Sequence, residues 1–193
     1  YVRTDESNTE TNLSMMAHDS NLGWGQGGFS TDYQSWMWKR HAGCDVVTFK
    51  GNGTAGKVIP HSLNAVPEMM WVKNRSQTRN WGVYHTGLNG GTTPQDYAIL
   101  LNLANSEFND VGMWNDTAPT STAFTLGSYP EVNGNNHDMI AMLFASVNGI
   151  SKIGRYSGSS YDVTITTGFT PRFLIVKKIN AGSHWHVFDS LRG

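Results

Sequence analysis

The chain has 193 residues, a formal net charge of −1 and only 15% charged side chains, so it carries no basic footprint for nucleic acid or an anionic membrane surface. No apolar run approaches the ~18–20 residues of a membrane-spanning helix, and insertion into a membrane is not expected. The single cysteine, Cys44, excludes an internal disulfide, and 21 glycines with abundant Asn, Ser and Thr indicate a turn-rich fold that relies on its core.

Taken in order, short β-branched or alternating runs separated by turn residues dominate. Residues 45–49 predict a strand ended by Gly51-Asn52-Gly53. Residues 69–73 predict another, opening just after Pro67, where proline is tolerated. Residues 80–85 follow across a polar hairpin loop at 74–79. The apolar stretch 97–103 fits a strand better than a short helix. Residues 124–126 and 139–145 complete this set, the latter nearly all apolar and expected to be covered on both faces. Further strands are predicted at 162–166, 173–177 and 185–188. Asn52-Gly53, Asn89-Gly90, Asn133-Gly134 and Asn148-Gly149 all suit turns that need positive φ. No long capped amphipathic helix is visible. The class implied is all-β, with antiparallel β-sandwich or jelly-roll-like modules in tandem.

The tandem reading comes from self-similarity. Pro67 to Lys73 (PEMMWVK) returns as Pro171 to Lys177 (PRFLIVK), and Trp81 to His85 (WGVYH) returns as Trp185 to Asp189 (WHVFD), both at an offset of 104 (185 minus 81). Tyr33 to Arg40 aligns with Met139 to Ser146 at 106 (139 minus 33), and Phe49 to Gly53 with Tyr156 to Ser160 at 107 (156 minus 49). A period this long is a whole small domain, beyond the 20–50 residues of solenoid repeats. The chain therefore parses as the C-terminal half of a first module (1–43), a complete central module (44–148) and the N-terminal half of a third (149–193). It reads as an excerpt of a longer polypeptide, or as two halves that complete one another within a chain or between chains.

Catalytic signatures are missing from the sequence: no nucleophile elbow, no phosphate-binding glycine loop, no zinc-protease helix. Only five Glu are present. Glu68 and Asp96 are the least implausible carboxylate pair, but Arg172 stands where Glu68 would recur. His184 and His186 place two imidazoles two residues apart on one strand face, which binds a metal only if a third ligand arrives from elsewhere. Their counterparts are Asn80 and Gly82, so an exposed strand face is the preferred explanation, and no metal or other cofactor is expected. Trp81 recurs as Trp185, Tyr84 as Phe188 and Trp38 as Phe144, as a shared core demands. Trp24, Tyr97 and Trp114 lie among Gly, Asn and Asp without such counterparts. If they stack on sugar, they should be exposed and flank a polar groove. Asn12, Asn52, Asn74 and Asn115 stand in N-x-S/T sequons, which matter only in a eukaryotic secretory pathway.

The strings WMWKRHAGCDVVTFKGNGTAG, IPHSLNAVPEMMWVKNR, NWGVYH, MWNDTAPTS and IAMLFASVNGISKIG resemble a tandem module of unknown function found in structural and tail-fibre-like proteins of marine tailed phages, especially cyanophages. The resemblance covers nearly the whole chain and is weakest over residues 1–20. It implies a virion-associated, non-enzymatic appendage protein. Its partners would be neighbouring copies of the module in a homo-oligomer (a trimer, as such appendages often are), other virion proteins and a host surface glycan. It assigns no catalytic or binding residue. Cys44 departs from the larger apolar residue expected there, as Ser159-Ser160 does from Asn-Gly.

Overall fold

The structure, a computed structural model, describes residues 2–11, 16–17, 25–26, 37–40 and 42–190. Its strands in chain order are β1 (Met16–Ala17), β2 (Gly25–Gln26), β3 (Cys44–Lys50), β4 (Lys57–Pro60), β5 (Met69–Asn74), β6 (Gly82–His85), β7 (Tyr97–Leu100), β8 (Phe108–Asn109), β9 (Ala123–Leu126), β10 (Asp138–Phe144), β11 (Phe173–Val176) and β12 (His186–Asp189). Two single-turn helices, α1 (Val111–Trp114) and α2 (Pro130–Asn133), and two 3₁₀ turns interrupt them. The chain is all-β, and its strand pairs are antiparallel.

Six strands form the main sheet in the order β3-β10-β5-β6-β7-β8. Strand β10 sits between β3 and β5, with Met142 opposite both Val46 and Trp71, which is why its sequence is almost wholly apolar. Side chains alternate across the sheet. Met70, Val72, Tyr84, Ala98, Met139, Ala141 and Leu143 face one core, covered by Ile59 of β4, Phe124 and Leu126 of β9, and Met113, Trp114 and Val132 of the helices. Met69, Trp71, Trp81, Val83, Ile99, Leu101 and Phe144 form a second cluster on the other face. There Val2, Ile153, Ile175, Ile179 and Trp185 pack against them from the two ends of the chain.

Local chemistry places these covers. The Asp110 carboxylate caps α1 by accepting from the Gly112 amide at 2.8 Å, and Asn115 ends it in the left-handed region at φ 55°. Gly82 lets the helices approach the sheet. A Cβ there would stand 2.7 Å from the Met113 methyl and 2.8 Å from Val132.

Two expected features differ. Residues 162–166 form no strand. The corresponding Lys57–Pro60 is a strand because β9 pairs with it, whereas no described strand lies beside 162–166. Asn133-Gly134 is not a positive-φ turn either: Asn133 closes α2 and Gly134 has φ −56°. The other three dipeptides do turn this way, with Gly53, Asn89, Gly90 and Gly149 all at positive φ.

Candidate interaction site

The polar chemistry of the second face is concentrated where chain ends meet the main sheet. Residues 3–10 run beside the β5–β6 hairpin. The Trp81 indole N–H donates to the Arg3 carbonyl at 2.7 Å, and the Arg79 amide donates to the Ser7 carbonyl at 2.8 Å. The Glu10 amide donates to the Arg75 carbonyl at 3.0 Å, and the Arg75 guanidinium grips the Glu10 carboxylate through Nε at 3.0 Å and Nη2 at 2.8 Å. Lys73 is fully buried, and its ammonium donates to the carbonyls of Asn74 (2.7 Å) and Ser7 (3.2 Å). Burial lowers its pKa to about 8.

A second joint lies at the β11–β12 hairpin. Trp185 Nε1 donates to the Leu100 carbonyl at 3.0 Å, and Lys177 Nζ to the Ala104 carbonyl at 3.2 Å and to that of Ser183. The Ser183 amide donates to Ala104 at 2.7 Å, and the Glu107 amide to Ile179 at 2.8 Å. Almost all of these bonds reach backbone carbonyls, so each joint reads the path of the incoming segment more than its side chains.

A shallow recess lies beside Arg40, Asp45, His61 and Ser62. Asp45 is buried there and wholly occupied. It accepts from Arg40 Nε (2.6 Å), the Ser62 amide (2.8 Å) and hydroxyl (3.1 Å), and the Val46 amide (2.9 Å). Burial alone would raise its pKa, but the Arg40, Ser62 and Val46 donors outweigh that and hold it at about 2 against an ordinary 3.8. A depressed carboxyl contributes stability that is fully present above its unfolded pKa and lost as pH falls through the folded one. Acid titration between about pH 4 and 2 should therefore remove about 2 kcal/mol of unfolding free energy, and Asp45→Asn should flatten that slope. Urea midpoints measured across this range check it; equal slopes for the two proteins would refute the assignment.

The residues singled out from sequence fare unevenly. Trp114, expected as an exposed sugar platform, is 1% exposed. It packs edge-on to Tyr84 at 6.1 Å and donates from Nε1 to the Tyr97 carbonyl at 3.0 Å. An aromatic beside Asn and Asp looked like a loop ring, but those polar residues are the caps of a helix turn that drives it inward. Tyr97 is half-buried at the start of β7, packed against the second cluster, and Trp24 lies outside the described residues. His184 precedes β12 and His186 lies on it, both exposed, with the His186 ring stacked on Phe188 at 6.4 Å. Among the described residues, no group of three or more His, Cys, Asp or Glu is placed to hold a metal ion. Glu68 accepts from the Ser146 amide, while the Asp96 backbone bridges Thr93 and Asp110. The sequon at Asn74 is buried, its amide shared between Pro130 and His137. No helix among the described residues is long and apolar enough to cross a membrane.

The joints themselves went unread in the sequence. The available signal was Asn8-Thr9-Glu10 against Asn105-Ser106-Glu107, one short match in otherwise dissimilar segments. A family model matches residues 25–193 and runs through both expected module boundaries. The chain belongs to that family, described as a domain of unknown function (DUF7483). No curated protein and no solved structure matches it.

Proposed function

We propose that the protein is a non-enzymatic structural and adhesive module of a phage virion appendage of tail-fibre type, contributing to host attachment. The supporting observation is the use of its buried and half-buried polar groups. Lys73, Trp81, Lys177 and Trp185 bond backbone carbonyls of segments distant in sequence, which is the chemistry of joining pieces of chain. The resemblance to phage appendage modules is the support for the proposed location. Modules repeated along such an appendage act through reach and effective concentration, with weak contacts adding up, and neighbouring copies are their first partners. Other virion proteins and a host surface glycan complete the proposed set, with a trimer as the proposed assembly of the appendage and not of the isolated chain.

A lectin-like role loses Trp114 as a stacking surface, and Glu68, one of the carboxylate pair a polysaccharide depolymerase would use, is bonded to the Ser146 amide. The decisive experiment is negative-stain imaging of isolated virions with an antibody against this segment. Labelled appendages are expected; bare particles, with label confined to bacterial cells, would overturn the reading.

A further inference from the structure

The two joints are the same joint. Trp81, Arg79, Arg75 and Lys73 contribute the same atoms to the first as Trp185, Ser183, Ile179 and Lys177 do to the second, each pair 104 residues apart (185 minus 81). Their partners correspond as well. Arg3, Ser7 and Glu10 are replaced by Leu100, Ala104 and Glu107, each 97 residues on (107 minus 10). Four hydrogen bonds in matching register, between segments of different sequence, are not a coincidence of packing.

The arrangement is also reciprocal. The central sheet supplies the hairpin of the first joint and the inserted segment of the second; the two ends of the chain supply the complementary parts. Exchanging the two bodies maps one joint onto the other, the signature of an isologous, two-fold contact. Such a contact has an axis, where a residue meets its own equivalent. Trp38 and Phe144, equivalent in the sequence comparison, touch edge-on with ring centroids 6.1 Å apart. Trp38 also touches Phe173 at 6.0 Å, so the N-terminal and C-terminal flanks lie side by side opposite the central sheet.

We propose that the Trp71–Trp81–Phe144 face of the central sheet is a two-fold self-pairing surface, whose partner is a second copy of the same module, and that in this chain the two flanks occupy it by presenting an equivalent hairpin and an equivalent insert. Because the flanks are tethered, their effective concentration at the face is on the order of millimolar, and they exclude a second copy. Recognition through backbone carbonyls explains how inserts as unlike as residues 3–10 and 100–107 fit one seat. The proposal stands whether or not a virion carries the protein, and its test reads mass and cross-linking instead of location.

The full chain carrying Glu10→Pro, Ser183→Pro and Trp185→Ala loses an amide donor and a carboxylate from the N-terminal flank and an amide donor, an indole donor and an apolar ring from the C-terminal flank, while the central module keeps every residue. Light scattering coupled to size exclusion should show the wild-type chain as a monomer and the variant at twice the mass, dissociating on dilution. In that dimer, Arg79→Cys on one chain and Ala104→Cys on the other should form an intermolecular disulfide. A variant that stays monomeric with native near-ultraviolet circular dichroism, or a dimer that does not cross-link, overturns the proposal. A second measurement needs no weakened flank. In otherwise wild-type chains, the pair Ser7→Cys with Arg79→Cys and the pair Ala104→Cys with Ser183→Cys should close within the chain to a similar extent. Adjacent backbones bonded at 2.8 and 2.7 Å suit disulfide Cα spacing of about 5.5 Å. Closure of only one pair would show that the joints are not equivalent and would overturn the proposal.

Discussion

Trp114→Ala should lower the unfolding free energy by about 3–5 kcal/mol, the range for emptying a large aromatic site in a packed core. The indole sits at 1% exposure among Tyr84, Met113 and Phe124, so truncation removes apolar area and leaves a cavity that the short helix α1 cannot collapse into. It also orphans the Tyr97 carbonyl that Nε1 satisfies. Trp114→Phe should cost less, because it keeps most of the ring and loses the hydrogen bond. Urea unfolding followed by tyrosine and tryptophan fluorescence measures both. A loss under about 1 kcal/mol for the alanine variant would mean that the ring is not in the core, and would restore it as a candidate surface residue.

That result bears on how much of the protein is legible in its sequence. Strands β3, β5, β6, β9 and β10 could be placed because their side chains alternate between two faces of which one or both are covered, and alternation or a fully apolar run records that directly. The hairpin β11–β12 was visible because it restates β5–β6. Trp114 was misread because its neighbours Asp110 and Asn115, polar in any context, are here the caps of a helical turn. The sequence pattern of a capped single turn and that of a surface loop are nearly the same. Residues 162–166 carry a strand pattern, but a strand also needs a partner, and partner availability is a property of the fold. The joints were hidden for another reason. Their donors are four side chains, Trp81, Lys73, Trp185 and Lys177, and the backbone amides of Arg79, Glu10, Ser183 and Glu107, and the acceptors of these bonds are carbonyls, which every residue possesses. An interface that reads the backbone leaves almost no trace in the sequence of the segment it binds. The repeat did reveal Trp81 and Trp185 as equivalent and assigned both to packing. That assignment holds for the rings and misses the role of their N–H groups, which fix the chain ends in register.

Asn133→Ala should destabilise the protein by about 2–3 kcal/mol, a large cost for a polar residue of this size. The side chain is fully buried and its amide is wholly engaged. Nδ2 donates to the carbonyls of Gly127 at 2.8 Å and Thr54 at 2.9 Å and to Asn52 Oδ1 at 3.1 Å, while Oδ1 accepts from the Asn52 amide at 2.9 Å. One amide thus ties the turn after β3 and the turn after β9 to the end of α2. Truncation leaves the buried Gly127 carbonyl without that partner, at a cost of about 1–3 kcal/mol, while the Asn52 amide and the Thr54 carbonyl, on exposed residues, keep access to water. The gain from an apolar methyl is small because nothing fills the vacated space. Asn133→Asp separates hydrogen bonding from shape: it keeps the acceptor, loses both donors and sets a charge against two carbonyl oxygens. At pH 7 it should be worse than alanine. Burial and the facing carbonyls raise such a carboxyl's folded pKa, so its stability is fully present at low pH and lost as pH rises through that value. The gap between the aspartate and alanine variants should therefore narrow on acidification, while Asn133→Ala itself follows wild type. Urea midpoints for the three proteins from pH 7 to 4 decide it. An alanine variant within 1 kcal/mol of wild type would show that water takes over the orphaned groups and that the network is dispensable.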